Sequence, residues 1–201
     1  MNAKDFFDFR SQLLSSTVQA YAVGLEKGEN GIDNHWNLIK GIYQGIKFPV
    51  IFKQECGEKL KDILDTGWPS LYLISDRLKT ILEEDDITGW KAFPIELYDK
   101  KNNEISGYHG FSIIGQCSHT NYDNCEVIER RLVPHGPVCK FYKGVSIENW
   151  DGSDFFTPEE TYETFITKKA ADVLRRKKIT NLRLINLADS ETDVDHVPKK
   201  N

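Results

Sequence analysis

The sequence predicts an α+β fold with mixed, largely antiparallel sheets and a few helices, on three observations. Composition is that of an ordinary folded protein: 39% hydrophobic, 28% charged and 11% aromatic over 201 residues, which excludes wholesale disorder and fibrous repeats. Short β-branched and aromatic runs bounded by turn residues recur along the chain. Two similar strand-helix-strand units stand out near 71–97 and 163–187. A chain of this length can bury roughly 70% of its unfolded surface, so no metal or disulfide staple is required.

The first 55 residues read as β-rich. Thr17–Leu25 and Ile46–Lys53 have strand composition, with a turn-rich segment, Lys27–Asn34, between them. Pro49 inside the second run implies an edge strand or a bulge, because proline cannot donate to a ladder. Leu71–Ile74 is an apolar run suited to a buried strand, and Ser75 offers a hydroxyl to cap a helix. From Asp76 to Asp86 the apolar residues Leu78, Ile81 and Leu82 make an amphipathic stripe. Thr88-Gly89 ends the helix, and Trp90–Tyr98 returns as a strand. The polar turn Asp99–Asn103 then predicts a hairpin to a strand around Tyr108–Gly115.

This unit recurs 92 positions later. Aligned without gaps, Ile74–Ile95 falls on Ile166–Leu187, and all nine apolar residues of the first copy meet apolar residues in the second. Ser75 meets Thr167, so both copies hold a capping hydroxyl; Thr88-Gly89 meets Thr180-Asn181, so both hold a left-handed turn residue. Only four of the 22 pairs are identical, and the resemblance is one of pattern. The copies differ in charge: Glu83-Glu84-Asp85-Asp86 stands where the second copy has Arg175-Arg176-Lys177-Lys178. Four acids at a helix C-terminus oppose the helix dipole. A solvated face is the plain explanation of either run, and a partner-binding patch at Glu83, Glu84, Asp85 and Asp86 is the sharper one.

Lys plus Arg total 26 against 31 Asp plus Glu, giving a net charge of -5 and a pI near 5.6. That balance does not fit a nucleic-acid binder, whose affinity comes from phosphate neutralisation. No run approaches the ~18 apolar residues of a membrane-spanning helix, and the first residues lack a secretory core, so the expected address is cytoplasmic. Four cysteines spread thinly then read as reduced thiols. The expected organisation is one domain, either undivided or with a β-rich part at 1–70 and an α+β part at 71–190, ending in a flexible tail at 191–201.

Nucleotide loops, the Gly-x-Ser-x-Gly elbow and the His-Glu-x-x-His helix are absent. The best metal candidate is the segment holding Cys117, His119, Cys125, His135 and Cys139, which lacks the close Cys-x2-Cys pairs of a structural zinc site. A nucleophilic Cys117 or Cys139 would need a histidine brought near it by the fold. The acids at 151–154 and 189–195 read as solvated turns. Trp68, Trp90 and Trp150 read as core or turn anchors; an exposed one among them would mark an interface.

The run Leu71–Leu97, followed by Gly107-Tyr108-His109-Gly110-Phe111-Ser112-Ile113-Ile114, resembles a bacterial immunity-protein family of polymorphic toxin systems, formerly a domain of unknown function. The features in common are the strand ending in Ser75, the helix, Thr88-Gly89, the strand with Phe93–Leu97 and the strand opened by Tyr108. Phe165–Leu187 fits a closing helix and strand. The resemblance covers about half the chain and carries no catalytic residue. It implies a non-catalytic, protein-binding module without cofactor, whose partner is a cognate toxin neutralised by surface complementarity. The alternative is a small metal-binding protein or enzyme built on Cys117–Cys139. A third possibility, a homo-oligomer, would pair acidic and basic copies between subunits.

Overall fold

The computed structural model describes residues 3–25, 34–118, 120–123, 125–159 and 161–194. After a 3-10 turn at Ala3–Asp5 come β1 (Phe6–Ser11), β2 (Gln19–Ala22), α1 (Asn34–Ile39), β3 (Val50–Cys56), β4 (Ile63–Asp65) and β5 (Tyr72–Ser75). Next come α2 (Asp76–Glu84), β6 (Trp90–Phe93), β7 (Ile95–Tyr98), β8 (Tyr108–Ile113), β9 (Gly115–Cys117), β10 (Thr120–Asn121), β11 (Glu126–Arg131) and β12 (Val138–Lys143). The last elements are β13 (Ser146–Ile147), β14 (Phe155–Pro158), β15 (Phe165–Thr167), α3 (Lys168–Arg176), β16 (Leu182–Asn186) and β17 (Glu191–Asp193). Strands dominate three short helices, in mixed sheets, as expected of an α+β fold.

Two sheets carry the architecture, a five-stranded one in the order β16-β1-β15-β14-β9 and a seven-stranded one in the order β6-β8-β5-β4-β2-β3-β7. Within them lies the same module twice, β16-β1-β15-β14 and β6-β8-β5-β4. Its registers coincide: Ile63 lies opposite Ile74 as Phe155 lies opposite Ile166, and Trp90 opposite Ile113 as Leu182 opposite Ser11. A parallel neighbour completes each module, β2 beside β4 and β9 beside β14. Helices α2 and α3 hold aligned positions, each capped by the hydroxyl found in the sequence. Ser75 accepts from the Leu78 N–H and Thr167 from the Ala170 N–H. The left-handed residues are paired as well: Asp86 with Lys178, and Gly89 with Asn181.

In chain order the two repeats run β1-β2-β4-β5-α2-β6 and β8-β9-β14-β15-α3-β16, and they exchange their first strands. β1 sits between β15 and β16 of the second repeat, while β8 sits between β5 and β6 of the first. Neither sheet is complete without a strand from the other repeat.

Two buried aspartates lock the repeats together, and they too are 92 residues apart. Asp62 accepts from the Ser75 hydroxyl of its own repeat (2.9 Å) and from the Thr180 N–H and hydroxyl of the other (both 2.8 Å). Asp154 accepts from the Thr167 hydroxyl (2.7 Å) and from the Thr88 N–H (3.1 Å) and hydroxyl (3.2 Å). Each also meets a cation one turn into its helix, Arg77 at 2.8 Å and Lys169 at 3.1 Å. Those cations reach on to the end of the opposite helix, Arg77 to the Lys177 carbonyl and Lys169 to the Asp86 carbonyl. Burial alone would raise both carboxyl pKa values. The hydrogen bonds outweigh it and hold both below the usual range.

Between the sheets lies one apolar core to which both repeats contribute equivalent side chains, among them Ile74 and Ile166, Leu82 and Leu174, and Ile87 and Ile179. Phe9 and Phe111, which hold equivalent places in the exchanged strands, each lie 5.3 Å from the Phe155 ring. A second core fills the seven-stranded sheet, whose edge strands β6 and β7 are separated in the chain by Pro94 alone. The sheet therefore curls until its edges meet, and Leu38 and Ile39 of α1 help to fill the interior with Phe52, Leu64 and Phe93. A third cluster, including Phe6, Phe156, Phe165 and Trp150, covers the outer face of the five-stranded sheet.

Several expectations are corrected. Trp90–Tyr98 is two strands because Pro94 interrupts it and sends its halves to different neighbours. Strand β8 consequently pairs with β5 and β6 instead of forming a hairpin with β7, although the Asp99–Asn103 turn forms. Pro49 precedes an internal strand, β3, where its missing N–H leaves the ladder intact. A helix, α1, lies in the stretch read as β-rich; residues 27–33 of the turn-rich segment fall outside the described residues. Positions 70 and 71 mark no boundary, since β4 and β5 pair across them. The tail is ordered as far as Asp193: β17 pairs with β12, and Glu191 bonds Arg130 at 2.5 Å, while residues 195–201 lie outside the described residues.

Asp62→Asn and Asp154→Asn should each lower stability at pH 7 by about 1–3 kcal/mol in urea unfolding. A depressed carboxyl pKa stabilises the fold above the unfolded value near ~4 and stops doing so as pH falls through the folded one. The gap between wild type and either variant should therefore close as pH is lowered from 5 towards 3.

Candidate functional site

Strand β1 turns Phe7 and Phe9 to the central core, and the two-residue period sends Asp8 and Arg10 to its opposite face. A cleft of about 460 Å³ opens beside them, lined from both faces of β1, at the seam where β1 and β16 of one sheet approach β4 and β5 of the other. Its polar lining comes from Asp8 and Arg10 on β1, Asp65 on β4, Tyr72 on β5, Glu163 just before β15, and Arg183 on β16.

Asp8 is 2% exposed and pairs through one oxygen with Arg10 at 2.7 Å, while its other oxygen has no hydrogen-bond partner among the described residues. Asp65, 6% exposed, accepts from the Ser11 hydroxyl at 2.5 Å and likewise leaves one oxygen without a partner. Glu163 stands 3.9 Å from Arg10. Burial raises the Asp8 carboxyl despite Arg10, and it raises Asp65 despite the Ser11 hydrogen bond. Glu163 is raised by burial and then by Asp8; Tyr72 is pushed up by burial and by the charges of Asp65 and Asp8.

Around this polar pit stands an apolar rim. Trp68 is 38% exposed, Tyr162 46% and Leu13 68%. The aromatic members are held from behind: Trp68 stacks on His35 at 3.9 Å, and Tyr162 meets Trp36 edge-on at 4.3 Å. Ser70 adopts a left-handed conformation (φ 59) and its hydroxyl donates to the Tyr162 carbonyl, tying the two rim segments together.

The duplicated fold supplies its own control. Where the cleft has Asp8, Arg10, Asp65, Tyr72 and Glu163, the positions related to them by the repeat are Gly110, Ser112, Thr157, Thr164 and Leu71, of which Thr164 also lines the cleft. At Gly110 the Phe93 ring occupies the space a side chain would need. Ser112 donates to the Leu38 carbonyl of α1 and accepts from the Tyr43 hydroxyl at 3.0 Å. Thus the same scaffold forms without these charges and with α1 over the corresponding strand. The charges are a property of these particular positions and not a demand of the fold.

The residues singled out from sequence fare differently. Asp85 bonds Arg176 at 2.6 Å and lies 3.5 Å from Lys177, so the acidic and basic runs meet inside one molecule, where the ends of α2 and α3 converge. Glu83 pairs with Lys79 at 2.8 Å, and Glu84 and Asp86 are exposed. Cys117 is buried, and burial followed by the nearby Asp151 and Glu159 charges pushes its thiol up to about 12. The Cys125 thiol donates to the Gly144 carbonyl at 3.2 Å, and Cys139 and His135 stand on β12 and the turn before it. His119 lies outside the described residues. Among the described residues no three His, Cys, Asp or Glu side chains come together as a metal site.

Asp154, read as a loop acid, is instead the buried lock between repeats, and Asp151 caps its own turn through the Ser153 N–H at 2.9 Å. Trp90 and Trp150 donate to the Ile87 and Ser153 carbonyls and are partly buried. Trp68 is the exposed tryptophan that would mark an interface. Sequence reasoning missed Asp8, Asp65 and Glu163; the visible hint was an acid flanked by phenylalanines in Phe7-Asp8-Phe9. None of the described helices is long and apolar enough to cross a membrane. Comparison with protein-family models finds none that matches the chain, and comparison with curated proteins finds no match.

Two measurements check this description. A buried carboxyl with a raised folded pKa costs stability as pH rises above its unfolded value near ~4, so Asp65→Asn should melt higher than wild type at pH 7, by about 1 kcal/mol, and equally at pH 3. In native protein at pH 8, iodoacetamide should modify Cys139 well before Cys117, and Cys117 should react only on unfolding.

Proposed function

We propose that the chain is a non-catalytic protein-binding module and, taking in the family resemblance of residues 71–115, an immunity protein that neutralises a cognate bacterial toxin in the cytoplasm by covering it. The observation that carries this reading is the cleft with its exposed Leu13, Trp68 and Tyr162 rim, built by both repeats. Large aromatic side chains held rigid around a desolvated centre are the make-up of interface hot spots. The cleft lining supplies carboxylate acceptors and apolar contact, with neither a thiol nor an imidazole in it. The net charge of -5, with Glu84 and Asp86 exposed, favours fast encounter with a basic partner.

The test is co-expression with the toxin domain encoded beside the gene. The wild-type chain should restore growth and form an isolable complex. The double variant Trp68→Ala/Tyr162→Ala should weaken that complex by at least about 2 kcal/mol, roughly thirtyfold, while keeping its melting temperature. A wild-type chain that neither protects nor binds would end the reading.

A further inference from the structure

The chemistry of the cleft narrows what the partner presents, an inference that rests on the protein-binding reading above. The Asp8 and Asp65 side chains line the cleft, and each keeps a buried oxygen without a donor among the described residues. Leaving such an acceptor unpaired is strongly unfavourable. The group lacking in the cleft is therefore a donor. Charge points the same way: Asp8, Asp65 and Glu163 face Arg10 and Arg183, one acid more than bases. Arg10 is committed to Asp8 at 2.7 Å and half exposed, whereas Asp65 meets only neutral donors, the Ser11 hydroxyl and the Asn181 amide.

We propose that the cleft is a receptor for a basic side chain, arginine foremost, projected by the partner protein between the Trp68 and Tyr162 rings onto Asp65 and Asp8. A guanidinium carries five donors in a planar fork, enough to serve two carboxylates, and its flat face suits an aromatic rim. A free small cation would satisfy the carboxylates but would leave Leu13, Trp68 and Tyr162 in water; a protein that buries the rim while inserting one side chain uses both. The positions related by the repeat carry no acid, Thr157, Gly110 and Leu71 standing at the places of Asp65, Asp8 and Glu163, so the scaffold does not require one there. Arg10 and Arg183 limit access to anions and leave Asp65 as the principal acceptor. Occupation by a cation favours ionised carboxylates, so the fit tightens as pH rises from about 4 to 7.

The experiment titrates the full chain with N-acetyl-arginine amide, followed by the Trp68 indole signal, with N-acetyl-citrulline amide as the uncharged match. Saturable binding of the arginine probe, at least about tenfold tighter than citrulline and weakening towards pH 4, is expected. Asp65→Thr, the residue of the other repeat, should remove at least about tenfold of that affinity without lowering the melting temperature, and should weaken the toxin complex by a similar factor. Equal binding of citrulline, or arginine binding unchanged by Asp65→Thr, overturns the proposal. A toxin complex that is lost in Trp68→Ala but intact in Asp65→Thr also overturns it while upholding the protein-binding reading. Arginine binding that depends on Asp65, in a chain that binds no toxin, supports the receptor chemistry and overturns the immunity reading.

Discussion

Asp62 and Asp154 each join two things the fold must hold together: the start of a helix in one repeat and the turn after the helix in the other. A buried carboxylate with hydroxyl, amide and cation donors around it is satisfied only when both repeats are in place. Everything else is arranged about that pair. The two helix N-termini are capped next to them, Arg77 and Lys169 tie the start of each helix to the end of the other, and the apolar stripes of α2 and α3 are fixed over the central core. The opposite charges of the two helix ends then have a physical account: Asp85 and Arg176 meet because the repeat brings equivalent ends face to face.

A duplicated scaffold frees one copy to diverge. In the seven-stranded sheet α1 and Phe93 close over β8, whereas β1 in the five-stranded sheet carries Asp8 and Arg10 into an open cleft. The acids there oppose stability, as raised carboxyl pKa values indicate, while the chemically similar Asp62 and Asp154 favour it. Two sets of buried aspartates in one molecule thus differ in whether donors surround them. That contrast separates carboxylates that hold the fold together from those left short of donors.

How much of this was legible in the sequence follows from how local each signal is. The capping hydroxyls, the helical stripes and the left-handed turn residues are short-range features, and Ser75, Thr167, Gly89 and Asn181 stand where the 92-residue alignment put them. The repeat was legible as a packing unit, but its first strands were not: β1 and β8 lie far along the chain from the strands they join, so no local pattern reveals the exchange. Pro94 carried a visible break that the apolar run around it masked. The cleft needed tertiary placement altogether, since Asp8, Asp65 and Glu163 come from separate segments and converge only after the sheets meet. Trp68 and the acid between phenylalanines at Phe7-Asp8-Phe9 were the advance signs.

The exchange of β1 has a kinetic consequence. Phe7 pairs with Ile166 and Asn186, so β1 finds its neighbours only after the long intervening stretch has been made. Until then its Phe6, Phe7 and Phe9 side chains remain exposed on a nascent chain, an aggregation hazard that grows with the delay. Closing so long a loop before any contact rewards it also slows the search for the native state. The finished molecule is correspondingly guarded against piecemeal loss, because withdrawing either exchanged strand opens the middle of a sheet and not its margin.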